Sequence, residues 1–121
     1  MESMCIEVGN STRAPASARH ALQSWFGSVD CTVPSPDDAL LIVSELVTNV
    51  VIHTTSGSVV TAAFDDHRFR IEVHDRDPRG PVVTSGAAAA GRGLPVVEAL
   101  CDVWGWEPTA FGKRVWTETL Y

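Results

Sequence analysis

The sequence predicts an α+β fold in which helices pack on one face of an antiparallel sheet. The main observation is that polar and apolar residues alternate from Arg68 to His74, as they do in a strand with one face on a core and the other in water. Two segments with helical spacing of apolar residues precede the strands and can cover the apolar face. A length of 121 residues suits one core, so we expect a single domain over residues 1–121.

Two helices are predicted in the N-terminal half. The first runs from about Ala16 to Phe26, and Gly27 is expected to end it. The second begins after Ser35, because a serine followed by Pro36 and two acidic residues is typical of a helix N-terminus, and it runs to about His53. Since this helix contains many β-branched residues, we expect packing rather than intrinsic propensity to stabilise it.

Four strands are predicted after these helices. Ser58 to Phe64 and Arg68 to His74 form a pair joined by a turn at 65–67, where two aspartates favour a reversal of the chain. Val103 to Trp106 and Arg114 to Leu120 form a second hairpin, which closes the sheet.

A long loop and a short helix lie between the two strand pairs. From Asp75 to Gly91 the composition changes to aspartate, proline, glycine, serine, threonine and a run of alanines. A connection of this length is either a functional lid or disordered, and its return to a Gly-Arg-Gly sequence favours a mobile lid. Gly93 to Leu100 is predicted to be the short third helix.

The composition argues against two classes of partner. The chain has 9 lysines and arginines against 15 aspartates and glutamates, for a net charge of −6, and its basic residues are scattered. Nucleic-acid binding needs clustered positive charge, so we expect no direct nucleic acid partner. No stretch approaches the roughly 18 apolar residues that a membrane span requires, and no leader is apparent. The cysteines Cys5, Cys31 and Cys101 are odd in number and far apart, which indicates free thiols and a cytoplasmic location.

Glu45 and Asn49 form the strongest motif for chemistry. They lie four residues apart in the second predicted helix, so one helix face carries an acid and an amide together. A carboxylate can take a proton from a hydroxyl or a water, and an amide oxygen can help to hold Mg²⁺ beside phosphates. On an ordinary amphipathic helix the same pair would be a solvated stripe. His53 is interpreted as structural, because a helix C-terminus favours histidine.

Two further positions could bind a nucleotide. Asp75 ends a predicted strand, where its carboxylate could accept a hydrogen bond from the amine of adenine, although aspartate is also common at strand ends and turns. Gly91-Arg92-Gly93 precedes a helix, whose exposed N–H groups can cradle phosphates, with Arg92 adding positive charge. Glycines also simply allow a loop to turn into a helix.

In order and spacing, these residues resemble the sequence boxes of the Bergerat-fold (GHKL) ATPases, which include gyrase, the MutL proteins and histidine kinases. The boxes are Glu45 with Asn49, Asp75, Gly91-Arg92-Gly93-Leu94, and Gly112-Lys113-Arg114-Val115-Trp116. The segment from Ile42 to His53 looks most like the stand-alone anti-sigma-factor serine/threonine kinases of actinobacteria and their relatives. The resemblance covers residues 34–121.

The resemblance implies a two-layer α/β sandwich with a mixed, mostly antiparallel sheet and with ATP between the helices and the lid. It also implies that Glu45 is the general base, that Asn49 helps to coordinate Mg²⁺ and that Asp75 binds the adenine amine. The other nucleotide-binding residues that it implies are Gly91, Arg92, Gly93 and Lys113.

The activity implied by the resemblance is phosphorylation of a small anti-anti-sigma protein of the STAS type, while a sigma factor competes for the same kinase. Transcription would be regulated by protein contact alone, and such kinases commonly form homodimers. One alternative is a non-enzymatic module of the same fold that holds a regulator. Another is a nucleotide hydrolase in which Glu45 acts on water.

Three residues differ from the family pattern. Asp77 and Arg79 stand where glycines usually follow the aspartate, and Arg114 stands about where a threonine often contacts the base region. Because Pro78 also restricts the loop, we expect nucleotide affinity in the micromolar range or weaker.

Overall fold

A five-stranded sheet carries three helices on one face in the part of the chain that the structure, a computed structural model, describes: residues 2–81 and 93–121. The elements are β1 (Glu2–Val8), α1 (Ala14–Ser28), α2 (Pro36–His53), β2 (Ser58–Phe64), β3 (Arg68–Asp75), α3 (Gly93–Leu100), β4 (Val103–Pro108) and β5 (Lys113–Leu120). The strand order is β1-β2-β3-β5-β4 and all four neighbouring pairs are antiparallel. The predicted α+β class is confirmed. Over the described residues the sheet is antiparallel throughout rather than mixed.

The core lies between the helices and the apolar face of the sheet. The predicted alternation along β3 is confirmed, since every second side chain is buried. The apolar residues of β2 and β3 that join the buried residues of α1 and α2 in one cluster are Val60, Ala62, Phe64, Phe69, Ile71 and Val73. Asp65 closes the predicted turn between these strands, because its Oδ1 accepts hydrogen bonds from the backbone N–H groups of His67 and Arg68.

Burial of apolar side chains stabilises α2 and sets its orientation. The apolar residues of α2 that are buried include Ile42, Val43, Leu46, Val47 and Val50. Burying one such side chain contributes about 1.5–3 kcal/mol, whereas replacing alanine by a β-branched residue costs a helix at most about 0.7 kcal/mol. Burial therefore outweighs poor propensity, and it fixes which side of α2 faces the sheet.

The predicted end of the first helix was wrong. The helix α1 continues to Ser28, so Gly27 lies inside it. The Ser28 hydroxyl donates a hydrogen bond to the carbonyl oxygen of Trp25 at 2.8 Å, and Val29 then leaves the helix in an extended conformation. A hydroxyl thus satisfies a terminal carbonyl, and no glycine is needed to end the helix.

The start of α2 is confirmed, although Ser35 does not cap the helix with its side chain. Pro36 occupies the first turn and Asp37 and Asp38 complement the positive end of the helix dipole. The Ser35 hydroxyl makes no capping hydrogen bond. The backbone carbonyl oxygen of Ser35 accepts a hydrogen bond from the backbone N–H of Ala39 at 3.2 Å.

The strand β1 was not predicted. Met4, Ile6 and Val8 pack against the core, in the alternation that identified β3. Cys5 lies between two of them at an exposed position, so the sequence shows three consecutive apolar residues and hides the alternation. The second hairpin is confirmed, with β4 reaching Pro108 and β5 starting at Lys113. Residues 82–91 of the predicted lid lie outside the described residues.

The sheet face turned away from the helices is half-buried rather than fully in water as predicted. Arg70 lies 2.7 Å from Glu72 and 2.9 Å from Glu118, and its guanidinium carbon is 4.6 Å from the ring centre of Trp116. Ion-paired side chains and an aromatic ring thus cover one another on this face.

Candidate functional site

The helix α2 places Asn49 inside the protein and Glu45 at the edge of the core. Asn49 is 6% exposed, whereas Glu45 is half-buried. An amide on a solvated stripe would be exposed, so Asn49 does not belong to such a stripe. Burying an amide costs free energy unless the amide makes polar contacts. The burial of Asn49 therefore indicates that its amide has a polar role inside the core.

Two exposed apolar residues share the side of α2 that carries Glu45. Leu41, four residues before Glu45, is 42% exposed, and Ile52, seven residues after it, is 50% exposed. Residues at these spacings lie on one helix face. The carboxylate of Glu45 therefore lies between apolar side chains that a protein partner can contact.

Asp75 and Lys113 form a buried ion pair at the end of β3. They are direct partners in the β3–β5 pairing, and their side chains are 0% and 4% exposed. Lys113 Nζ donates hydrogen bonds to Asp75 Oδ1 and to the carbonyl oxygen of Asp77, each at 3.1 Å. Removing one charge of such a pair leaves the other buried without compensation, which costs about 3–5 kcal/mol.

The second carboxylate oxygen of Asp75 lacks a hydrogen bond. Oδ1 accepts from Lys113 and, at 2.7 Å, from the backbone N–H of Asp77. Oδ2 is buried and forms an ion pair with Lys113 Nζ at 2.9 Å, and it accepts no hydrogen bond from the other groups of residues 2–81 and 93–121. Because a carboxylate oxygen can accept more than one hydrogen bond, Oδ2 can still accept one from an exocyclic amine, so the residues present fit the adenine group that the sequence predicts here.

The residues after Asp75 form a turn closed by an ion pair in place of the family's glycines. The Arg79 guanidinium donates to both oxygens of Asp77, with a shortest distance of 2.6 Å, and the Arg79 backbone N–H donates to Oδ1. These bonds from Arg79 hold the pKa of Asp77 well below its usual value. Arg79 also reaches the carbonyl oxygen of His53 at 3.5 Å, so the turn lies beside the end of α2.

A second unsatisfied polar atom occurs at this end of the molecule. His53 is the last residue of α2, and its Nε2 is buried with no hydrogen-bond partner in the described part of the chain. Because Arg79 links His53 to the turn that follows Asp75, the two unsatisfied atoms belong to neighbouring segments.

Arg114 lies on the opposite face of the sheet from Asp75. Its guanidinium contacts Glu107 and lies 3.6 Å from Glu72, a residue of the half-buried charged face. Because side chains alternate along β5, Lys113 faces the helices and Arg114 does not. The structure therefore places Arg114 on the sheet face away from Asp75 and Lys113.

Gly112 allows the turn between β4 and β5 to pack closely on the end of β3. A Cβ atom at this position would lie 2.0 Å from the carbonyl oxygen of Asp75 and 2.5 Å from the Cα of Arg76, both backbone atoms. The sequence motif contained Gly112, but no role was predicted for it, because the contact joins segments far apart in the chain.

The third helix begins at Gly93, as predicted. Its residues Leu94 and Val97 are buried in the common core, and α3 packs beside α2. The N-terminus predicted to bind phosphates therefore belongs to the same layer as Glu45 and Asn49. Gly91 and Arg92 lie outside the described residues.

A cavity of about 1320 Å³ lies beside the segment that follows β3, and its lining includes Asp75, Asp77 and Arg79. Val59 and His74, which belong to the sheet face opposite the helices, also line it, as does exposed Phe111. Neither Glu45 nor Asn49 lines it. The cavity therefore reaches Asp75 but not the acid and the amide of α2.

The family of the chain follows from its sequence match to a histidine kinase-like ATPase domain over residues 10–117. The chain belongs to the histidine kinase-like ATPase family. The match spans α1 and the positions of all the sequence boxes, so it confirms the superfamily part of the resemblance.

This histidine kinase-like ATPase domain is also similar to a solved structure, that of the RsbU and RsbW domains of Rv1364c from Mycobacterium tuberculosis. The TM-score is 0.72 and the sequence identity 23%, over 99% of this chain and 33% of that one. At this identity the likeness shows the fold alone, and the chain spans about a third of that protein's length. A search of curated protein sequences found no match. Across residues 2–81 and 93–121, none of the helices has the length and apolar character to traverse a bilayer.

Proposed function

We propose that this domain is an ATP-dependent serine/threonine protein kinase of the anti-sigma-factor type. It would phosphorylate a small anti-anti-sigma protein of the STAS class and bind a sigma factor in competition with that reaction. The observation that carries the proposal is the buried Asp75 carboxylate, which Lys113 holds near the end of the helix that carries Glu45 and Asn49.

Several groups of the chain would hold the nucleotide. Asp75 Oδ2 would accept a hydrogen bond from the adenine amine, and the side-chain oxygen of Asn49 would help to hold Mg²⁺. The N–H groups at the start of α3, at Gly93, would hold phosphates together with Gly91 and Arg92. ATP, when bound, supplies the phosphoryl group.

Glu45 would act as the general base. It is half-buried one helical turn from Asn49, and its carboxylate can accept the proton of a serine or threonine hydroxyl. Exposed Leu41 and Ile52 on the same side of α2 support a protein hydroxyl rather than water as the nucleophile, because they can contact a partner around Glu45. This favours a kinase over a hydrolase.

The partners follow from the segment Ile42 to His53, which resembles the anti-sigma-factor kinases of actinobacteria. Regulation would take place in the cytoplasm through protein contact, without direct binding of nucleic acid or membrane. The scattered basic residues and the net charge of −6 support the absence of a nucleic acid partner. A homodimer is the expected assembly.

A non-enzymatic module that holds a regulator is the second candidate, and the turn after Asp75 favours it. Asp77 and Arg79 bind each other where the family usually has glycines, so this turn has less freedom to close on a nucleotide.

Incubation with ATP labelled on its γ-phosphate, Mg²⁺ and a candidate STAS protein tests the proposal. We expect label on a serine or threonine of the partner, and none on a partner in which that residue is alanine. Label released only as free phosphate would identify a hydrolase instead. A stable complex with a regulator and no turnover would identify the binding module.

A further inference from the structure

The strand β1 forms one edge of the sheet, and its outer side pairs with no other strand of residues 2–81 and 93–121. An edge strand presents a row of unpaired N–H and C=O groups that can bind another strand, and proteins usually protect such edges with proline, lysine or a short strand. The other edge, β4, has six residues and ends on Pro108. Because β1 has seven residues and contains neither proline nor lysine, it is the edge that is open to another strand.

The two rows of side chains on β1 differ in character. The row on the helix side is apolar, packs against the core and stays partly exposed; it consists of Met4, Ile6 and Val8. The row on the opposite face is exposed and consists of Ser3, Cys5 and Glu7. A strand that joins this edge extends the apolar core on one face only, so the fitting strand alternates in the same way as β1.

A second copy of β1 has this alternation, and an antiparallel pairing centred on Cys5 uses all seven residues of both strands. At this register Met4 lies opposite Ile6 of the second copy, so apolar side chains meet on the helix side. Glu7 lies opposite Ser3 of the second copy, which keeps the acidic side chains apart. A centre on Met4 or on Ile6 leaves two residues of each strand unpaired, and a shift of one residue brings the apolar row beside the polar row.

We propose that two copies of this chain associate through β1, in an antiparallel pair centred on Cys5 that joins their sheets. This inference names the interface of the homodimer expected above and rests on the proposed function in that respect alone. At the two-fold axis the two Cys5 residues are direct neighbours. Opposite residues of antiparallel strands have Cα atoms about 4.5–5.5 Å apart, and a disulfide spans about 4.4–6.8 Å, so the Cys5 thiol reports the register.

Oxidised glutathione tests the register in a variant in which Cys31→Ser and Cys101→Ser leave Cys5 as the single thiol. The thiolate of one Cys5 displaces one glutathione thiol from that disulfide. Cys5 of the second copy then displaces the other glutathione thiol, which leaves a disulfide between the two chains. We expect a covalent dimer on a non-reducing gel and a monomer after reduction.

A matched control moves the single thiol along the strand, with Ser3→Cys added to a variant in which Cys5 and the other cysteines are serine. In the proposed register the two Ser3 positions are four residues apart along the strands, or about 13 Å or more, which is too far for a disulfide. We expect no covalent dimer from this control.

Sedimentation measures the association without a cross-link. The wild type and Cys5→Ser should form dimers of equal affinity. Cys5→Lys places two ammonium groups opposite each other and should raise the dissociation constant of the dimer about 5-fold or more. If Cys5→Lys fails to fold, Cys5→Glu provides the same comparison with two negative charges.

Three results would overturn the interface. They are a monomeric wild type, a dimer whose dissociation constant is unchanged in Cys5→Lys, and cross-linking through Ser3→Cys as readily as through Cys5. The proposed function fails on a different result, since a dimer of the expected register that transfers no phosphate to a STAS protein refutes the kinase and leaves the interface in place.

Discussion

Glu45→Gln should lower the rate of phosphotransfer about 10²- to 10⁴-fold while leaving the affinity for ATP nearly unchanged. The amide keeps the size of the side chain but cannot take a proton from the accepting hydroxyl. Because a general base acts mainly in the transition state, its loss affects the rate far more than ground-state binding. The rate is measured with γ-labelled ATP and the STAS partner, and the affinity by calorimetry.

A matched control for this variant is Glu98→Gln. Glu98 is an exposed carboxylate on α3, so the same substitution removes the same charge from the protein surface. We expect this control to transfer phosphate at the rate of the wild type. If Glu45→Gln is also as fast as the wild type, Glu45 is not the base.

Gly112→Ala should destabilise the protein by about 1–3 kcal/mol or more and abolish nucleotide binding. The added methyl group would meet the backbone of Asp75 and Arg76 at 2.0–2.5 Å, and backbone atoms cannot move aside as the end of a flexible side chain can. The end of β3 must then shift, which disturbs the Asp75–Lys113 pair. Denaturant unfolding and nucleotide titration measure the two effects.

Gly27→Ala is the control for this steric effect. A Cβ at Gly27, inside α1, would have no atom within 4 Å, so alanine should be neutral or stabilise the helix by about 0.5–1 kcal/mol. Equal stability and equal nucleotide affinity of Gly112→Ala and the wild type would show that this close contact does not hold Asp75 in place.

The sequence was informative where local chemistry decides the structure. A proline and two acidic residues predicted the first residue of α2 correctly. The strict alternation of polar and apolar residues predicted the position of β3. Spacing also placed Glu45 and Asn49 on one helix face. The spacing alone could not show whether Asn49 is exposed on a solvated helix face or buried, because the burial of Asn49 depends on how α2 packs against the sheet.

The contacts around Asp75 could not be predicted because they join distant segments. The pairing with Lys113 depends on the register of β5 against β3, and a shift of one residue would bring Arg114 to the helix side instead. For the same reason the sequence alone could not show which face carries Arg114, which alternation along β5 turns toward Glu72 and Glu107. The role of Gly112 likewise appears only when its turn is seen against the backbone of Asp75.

The central claim is that Asn49 and Asp75 belong to a site for Mg²⁺ and ATP, and thermal unfolding with and without the nucleotide tests it most directly. A ligand that binds only the folded state stabilises it by about 2.7 kcal/mol at a concentration of 100 times Kd. We predict that millimolar ATP with Mg²⁺ raises the Tm of the wild type, and that Asn49→Ala and Asp75→Asn each remove the increase. A wild-type Tm that does not change at millimolar ATP would contradict the account.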